Sequence, residues 1–250
     1  MNQALCRDGV QVTVGTKITE VATRGALKIV RYTDPAGQPD VEGLGLEEAG
    51  VMYDRRLGVQ VDARLRMTNP RIFAAGDVCS RYQFTHAADA LARLVLANAL
   101  FMGRQKASAL TIPWCTYTDP QIAHVGLTAA QAEAAGLAVT TFMQPLYDVD
   151  RAVLDGETAG FAKVHVKQGT ATIVGATIVA RHAGEMIGLY TTLMAHKLGL
   201  GALTRIIQPY PTQAEAVRKT GDAYQRTRLT PFVKKLMARW FAWQRGRQAR

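Results

Sequence analysis

Asp77 closes the stretch Thr68-Asn-Pro-Arg-Ile-Phe-Ala-Ala-Gly-Asp77, in which residues 72–75 read as a short strand of small and apolar residues ending in a Gly-Asp turn. A carboxylate just beyond a strand tip is an acceptor-only group, suited to a hydroxyl-rich ligand. The carboxyl edge of an α/β sheet is where such ligands bind. The plainer reading is an aspartate that ends a strand and caps the following turn. Thr85, His86 and Ala87 come next, at the start of a predicted helix with a stripe of Ala87, Leu91, Leu94, Val95, Asn98 and Ala99 and with Thr85 as its N-cap. A helix start carries partial positive charge and free N–H groups, which favour an anionic ring or a phosphate. His86 is then either a group beside such a ring or an ordinary polar residue of the first turn.

Thiol and metal chemistry find less support. Cys6, Cys79 and Cys115 are widely spaced, with no Cys-x-x-Cys, no Cys-x-x-x-x-Cys and no metal-ligand pattern, so they read as reduced packing residues and no metal site is expected. His124, His165, His182 and His196 are scattered without ligand spacing and read as structural.

Thr-x-x-x-Ile-Phe-Ala-Ala-Gly-Asp resembles the second flavin-contacting motif of the FAD-dependent pyridine nucleotide-disulfide oxidoreductases. The order of the later segments strengthens the resemblance: Pro113-Trp-Cys-Thr-Tyr-Thr-Asp-Pro120, Val125-Gly126, Gly160-Phe161-Ala-Lys163, Gly175-Ala-Thr-Ile178, Ala183-Gly-Glu-Met-Ile187 and Tyr210-Pro-Thr-Gln-Ala-Glu215. These are similar to that family's C-terminal dimerisation domain, with a mercuric-reductase-like flavour and a likeness to dihydrolipoyl dehydrogenase. The resemblance implies FAD as cofactor, held by Gly76, Asp77, Thr85, His86 and Ala87, with Asp77 on the ribityl chain and His86 near the pyrimidine edge. It also implies Tyr210 and Glu215 as catalytic residues. Most relatives carry histidine where Tyr210 stands; a phenol with a reference pKa of about 10 stays neutral at pH 7, so it donates a hydrogen bond but is a poor general base. Tyr210 could equally be an interface aromatic.

The chain therefore reads as α+β, in four parts. Residues 1–45 are expected to be a remnant of the β-meander that closes the NAD(P) domain, with strands around Val10–Val14, Ile18–Val21 and Leu27–Tyr32; residues 46–110 are the C-terminal part of the FAD-binding domain. Asp34-Pro-Ala-Gly-Gln-Pro-Asp40 resembles a family segment whose preceding strand is expected to be missing, and residues 58–61 should form a small strand. Residues 111–227 are the antiparallel-sheet dimerisation domain, with strands at 115–117, 123–125, 139–143, 160–166 and 173–179. Its helices are expected at 128–135, capped by Thr128 and stopped by Gly136, at 185–197, stopped by Gly199, and from Thr212, which stands at capping-box spacing from Glu215. Residues 228–250 are a basic amphipathic tail.

Composition adds limits. Of the ten net positive charges, eight come from the acid-free stretch that starts at Arg226, which leaves only +2 on the first 225 residues, so nucleic-acid binding by the body is not expected. The tail helix, apolar at 232, 233, 236, 237, 240 and 243, either packs on the body or a partner subunit or rests on an anionic membrane surface. With no apolar run of membrane-spanning length and no signal-peptide layout at the first residues, a cytoplasmic location is expected.

No Gly-x-Gly-x-x-Gly follows a strand anywhere, and the redox cysteine pair is absent. The expectation is thus a mercuric-reductase-like FAD oxidoreductase polypeptide that does not turn over NAD(P)H alone. It would act as a homodimer through residues 111–225, with a separate chain as a possible source of the missing half. The alternative is a non-catalytic dimerisation protein without flavin.

Overall fold

A computed structural model describes residues 17–24, 27–33 and 41–248. The chain divides into two compact units at Leu110/Thr111.

In the first unit, β1 (Lys17–Arg24) and β2 (Leu27–Thr33) form an antiparallel pair from Lys17↔Thr33 to Arg24↔Leu27, with a shift of register between Ile18 and Glu20. The third expected strand, 10–14, and the 34–40 link lie outside the described residues. Beyond residue 40 a small core of Val41, Leu46, Val51, Val59 and Ala74 forms around the two-residue strands β3 (Tyr53–Asp54) and β4 (Gly58–Val59). The Asp54 carboxylate turns the chain between them by accepting from the N–H groups of Arg56 (2.7 Å) and Leu57 (2.9 Å), which holds its carboxyl below the usual carboxylate range. The small strand expected at 58–61 therefore stops at Val59, and Val61 makes an isolated bridge to Met67.

The strand expected at 72–75 shrinks to a single bridge, Phe73 with Arg66, flanked by Met67 N–H to Ile72 O (2.9 Å) and Ala74 N–H to Leu65 O (3.1 Å). The sole ladder partner among the described residues is the arm 65–67. The intervening turn contains Pro70, which has no N–H to extend the ladder.

Helix α1 (Thr85–Leu100) buries Ala87, Leu91 and Leu94, the first part of the expected stripe. Its N-cap is Phe84, in an extended conformation, and not Thr85, which is already the first helical residue. Asn98 turns out to be a clamp: its side chain accepts from Gln105 N–H (3.0 Å) and donates to Gln105 O (2.9 Å), tying down the chain beyond the helix.

The second unit is a five-stranded, fully antiparallel sheet. Its strands are β5 (Pro113–Thr116), β6 (Gln121–Gly126), β7 (Val139–Pro145), β8 (Phe161–Lys167) and β9 (Ile173–Ala180), in the order β5-β6-β9-β8-β7. The period-2 alternation turns Ala123, Val125, Ala162, Val164, Ala176 and Ile178, all fully buried, to one face. That face carries α4 (Ala183–Ala195) and α5 (Glu215–Thr227). Helix α2 (Ala129–Ala134) opens on the expected Thr128, in a complete capping box with Gln131, and closes at Gly136. A one-turn helix, α3 (Asp150–Leu154), has no counterpart among the elements expected from the sequence.

Two helix termini differ from expectation. Helix α4 is not stopped by Gly199. It ends in a Schellman motif, with Leu198 N–H on Leu193 O (2.7 Å) and Lys197 N–H on Met194 O (3.0 Å), and Lys197 takes the left-handed position at φ 54°. A side chain there costs ~1 kcal/mol relative to glycine. Lys197→Gly is accordingly expected to raise stability by about 0.5–1 kcal/mol, read as a higher urea midpoint; the lost restriction of the unfolded chain offsets part of the gain. Helix α5, for its part, starts at Glu215 without the predicted Thr212 cap. The Thr212 hydroxyl donates back to Pro209 O (2.9 Å), and the cap position falls to Ala214, which has no capping side chain.

In the terminal helix α6 (Pro231–Gln248) only Val233 among the expected apolar positions is half-buried. Phe232, Leu236, Met237, Trp240, Phe241 and Trp243 are all exposed.

Candidate functional site

In the first unit the Gly76-Asp77 turn is pressed against the start of α1. Gly76 is buried at φ 85°, a left-handed value, and a Cβ built on it would stand 3.3 Å from Ala88 Cβ in the first helical turn. Its carbonyl accepts the N–H groups of Cys79 (3.1 Å) and Ser80 (3.0 Å) and so closes the turn. The Asp77 side chain is not needed for that purpose. It is exposed and has no hydrogen-bond partner among the described residues, which removes the plain turn-capping reading.

A few residues on, α1 begins with neither a capping side chain nor an acidic residue in its first turn, so the positive end of its dipole is uncompensated by its own sequence. Thr85 and His86 are exposed there and Ala87 is buried; the His86 ring lies nearly parallel to Phe84 with centroids 5.4 Å apart. Cys79 lies within the same turn, where burial pushes its thiol up to about 11. It is therefore a protonated packing residue at neutral pH, not a nucleophile. An acceptor-only carboxylate beside a bare helix start suits a ligand with hydroxyl donors along one part and an electron-rich ring or anion at another. FAD has both, so these residues fit it.

In the second unit Tyr210 lies on the segment leading into α5 and Glu215 is the first residue of that helix, but they are not bonded to each other. The Tyr210 hydroxyl donates to Asp150 Oδ2 on α3 (2.7 Å), and the Glu215 carboxylate accepts from Arg218 Nη2 (3.1 Å) with Lys219 Nζ 4.0 Å away. The Asp150 carboxylate, and to a lesser degree Glu215, raises the pKa of Tyr210 above the ordinary phenol value. The hydroxyl thus stays protonated and already donates, a poor starting point for proton abstraction. Asp150→Asn is expected to bring the Tyr210 phenol back toward about 10, a change visible in an ultraviolet titration that compares the variant with a Tyr210→Phe control.

Sequence reasoning missed Asp150, 60 residues from Tyr210, and also Gln213, which is buried with neither side-chain polar atom bonded among the described residues. No sequence signal pointed to Asp150, whereas Gln213 lies inside the Tyr210–Glu215 segment quoted above. Glu215 Oε2 is likewise buried and unbonded there.

Of the four histidines expected to be structural, His124 and His165 are tied into the frame, whereas His182 and His196 are exposed. His124 bonds Thr177 Oγ1 (2.9 Å) and Gly126 O (3.0 Å), and His165 bonds Thr141 Oγ1 (2.7 Å). Burial lowers the pKa of both. Among the described residues no group of three or more His, Cys, Asp or Glu side chains could hold a metal ion.

Two parts of one family match this chain. The pyridine nucleotide-disulphide oxidoreductase domain matches residues 1–92, and the pyridine nucleotide-disulphide oxidoreductase dimerisation domain matches residues 112–220. The chain belongs to the pyridine nucleotide-disulphide oxidoreductase family. Members of this family depend on FAD.

Among its relatives, the mercuric reductase of Streptomyces lividans is 34% identical over 232 residues, 87% of this chain and 49% of the relative. The mercuric reductase of Staphylococcus aureus is 38% identical over 181 residues, 72% of this chain and 33% of the relative. The dihydrolipoyl dehydrogenase of Chlamydia trachomatis is 32% identical over 178 residues, 70% of this chain and 38% of the relative. The chain thus spans half or less of the length of these relatives. The solved structure of LpdA from Mycobacterium tuberculosis shares the fold with a TM-score of 0.78 at 24% identity, over 89% of this chain and 51% of LpdA. The HOCl-induced flavoprotein disulfide reductase RclA of Escherichia coli, solved as a Cu(II) complex, does so with a TM-score of 0.74 at 24% identity, over 87% and 53%. The fold is therefore that of about half of these solved chains, with a five-stranded antiparallel sheet over the residues that the dimerisation-domain family matches.

Proposed function

We propose that this chain supplies flavin contacts and the subunit-pairing domain of an FAD-dependent, mercuric-reductase-like disulfide oxidoreductase. The observation that carries the reading is the Asp77 carboxylate, without a hydrogen-bond partner among the described residues, on a turn wedged by Gly76 against the start of α1. Bound FAD would supply the two-electron relay between a nicotinamide and a disulfide or other acceptor. Asp77 would accept hydrogen bonds from its ribityl hydroxyls, while the backbone at Thr85, His86 and Ala87 would offer positive potential to the electron-rich end of its ring. Tyr210, held by Asp150, would act as a hydrogen-bond donor in the catalytic region and not as a proton shuttle. Glu215, ion-paired to Arg218, would position that segment.

The sequence contains neither a Gly-x-Gly-x-x-Gly fingerprint nor a vicinal cysteine pair. These 250 residues by themselves are accordingly expected to lack turnover with NAD(P)H. The dimerisation-domain match supports a two-fold homodimer through residues 111–225. A cytoplasmic location belongs to the same reading; among the described residues no helix is long and apolar enough to cross a membrane.

Titrating the purified chain with FAD and following flavin fluorescence tests the reading. Binding is expected, weakened about 10- to 100-fold by Asp77→Ala, the range for a lost hydrogen bond to a charged group. A colourless dimer that ignores FAD would instead establish the non-catalytic dimerisation protein.

A further inference from the structure

We propose that α6 attaches this protein to an anionic lipid bilayer, lying in the plane of its surface. The helix runs from Pro231 to Gln248. Over residues 231–245, at about 100° per residue, Phe232, Leu236, Met237, Trp240, Phe241 and Trp243 occupy one half of its circumference, and Lys234, Lys235, Arg239 and Arg245 occupy the other. That apolar half is open: Phe232 is 74% exposed, Leu236 57%, Trp240 50% and Trp243 50%. Trp240 and Trp243 lie side by side, with ring centroids 5.2 Å apart. Paired indoles beside cationic side chains are what the boundary between headgroups and acyl chains selects.

Charge decides between occupants. No acidic residue follows Asp222, and eight basic residues do so from Arg226 onward. A second copy of the chain would bring the same cationic helix, and the first 225 residues, at a net charge of +2, bring no net negative charge to attract it. The dimerisation-domain match also ends at residue 220, short of α6. A nucleic acid would neutralise the basic half and leave six large apolar side chains in water. An anionic bilayer satisfies both halves at once, and because the helix is too polar to span the membrane it must lie along it. The attachment is independent of flavin binding.

The test is co-sedimentation of the 250-residue chain with phosphatidylcholine liposomes made with and without phosphatidylglycerol, together with tryptophan emission. The expected result is binding to the anionic liposomes alone, reversed by high salt, with a blue-shifted emission that disappears in W240A/W243A. The triple variant K234E/K235E/R239E should bind on the order of 100-fold more weakly, since each basic residue near an anionic surface contributes about fivefold. These substitutions fall on exposed positions, and circular dichroism confirms that the fold is kept. Failure to sediment with anionic liposomes, equal binding to the neutral ones, or binding unchanged in the triple variant would each overturn the proposal. So would capture of the helix by an acidic, groove-bearing protein with no liposome binding.

Discussion

Tyr190→Ala is expected to lower the stability of the 111–250 unit by ~3–5 kcal/mol, the range for truncating a fully buried aromatic side chain. Tyr190 sits on α4 with no exposed surface, among the largest side chains of the core. Its hydroxyl lies 2.9 Å from Thr220 Oγ1 on α5, and Thr220 in turn donates to Val217 O (2.7 Å). Because the single threonine hydrogen is committed to Val217, Tyr190 must be the donor between the two helices. Burial raises the pKa of this phenol well above the ordinary value, so it is a donor at neutral pH. Tyr190→Phe keeps the ring and loses one neutral hydrogen bond, an expected cost of about 1 kcal/mol. Urea midpoints of the two variants separate the contributions: a loss of equal size in both would mean that the hydroxyl, and not the packing, joins α4 to α5.

Gly175→Ala is expected to cost ~3 kcal/mol or more, at the upper end for overpacking. Gly175 on β9 faces Gly126 on β6, and the chain leaving β6 crosses directly over it. A Cβ on Gly175 would stand 2.6 Å from Leu127 N and 2.8 Å from Leu127 C, and closer still to Leu127 O. All three are backbone atoms with no flexible end to move aside. Leu127 N–H is also bonded to Val174 O (3.0 Å), so any shift breaks a ladder bond as well. The check is a thermal melt of the variant beside Gly188→Ala, where an added Cβ meets nothing within 4 Å. A melting point for Gly175→Ala no lower than that of the control would contradict the close-approach account.

Much of the second unit could be read from the residues because its signals are local. Alternation over 160–166 and 173–179 places strands, and Thr128 with Gln131 and Gly136 brackets α2. Signals that depend on how a hydroxyl is used were less legible. Thr85 and Thr212 both have the composition of caps, yet the first is already helical and the second bonds backward to Pro209. Residues 72–75 have strand composition but find too short a ladder partner to form one. At the candidate site, the Gly76-Asp77 turn and the helix after it were visible, since a glycine-aspartate pair and an apolar stripe are short-range patterns. Asp150 was not, because its meeting with Tyr210 depends on the tertiary fold that brings α3 alongside the segment before α5.

The strand order β5-β6-β9-β8-β7 also bears on how the sheet assembles. The contacts β5–β6, β7–β8 and β8–β9 each join strands adjacent in the chain, whereas β6 must wait for β9 across two intervening strands. Closing that larger loop carries the greater entropic cost. The seam between β6 and β9, where two glycines face one another, is the junction at which a hairpin and a meander become one sheet, and it sets the contact order, and hence the pace, of folding for the whole unit.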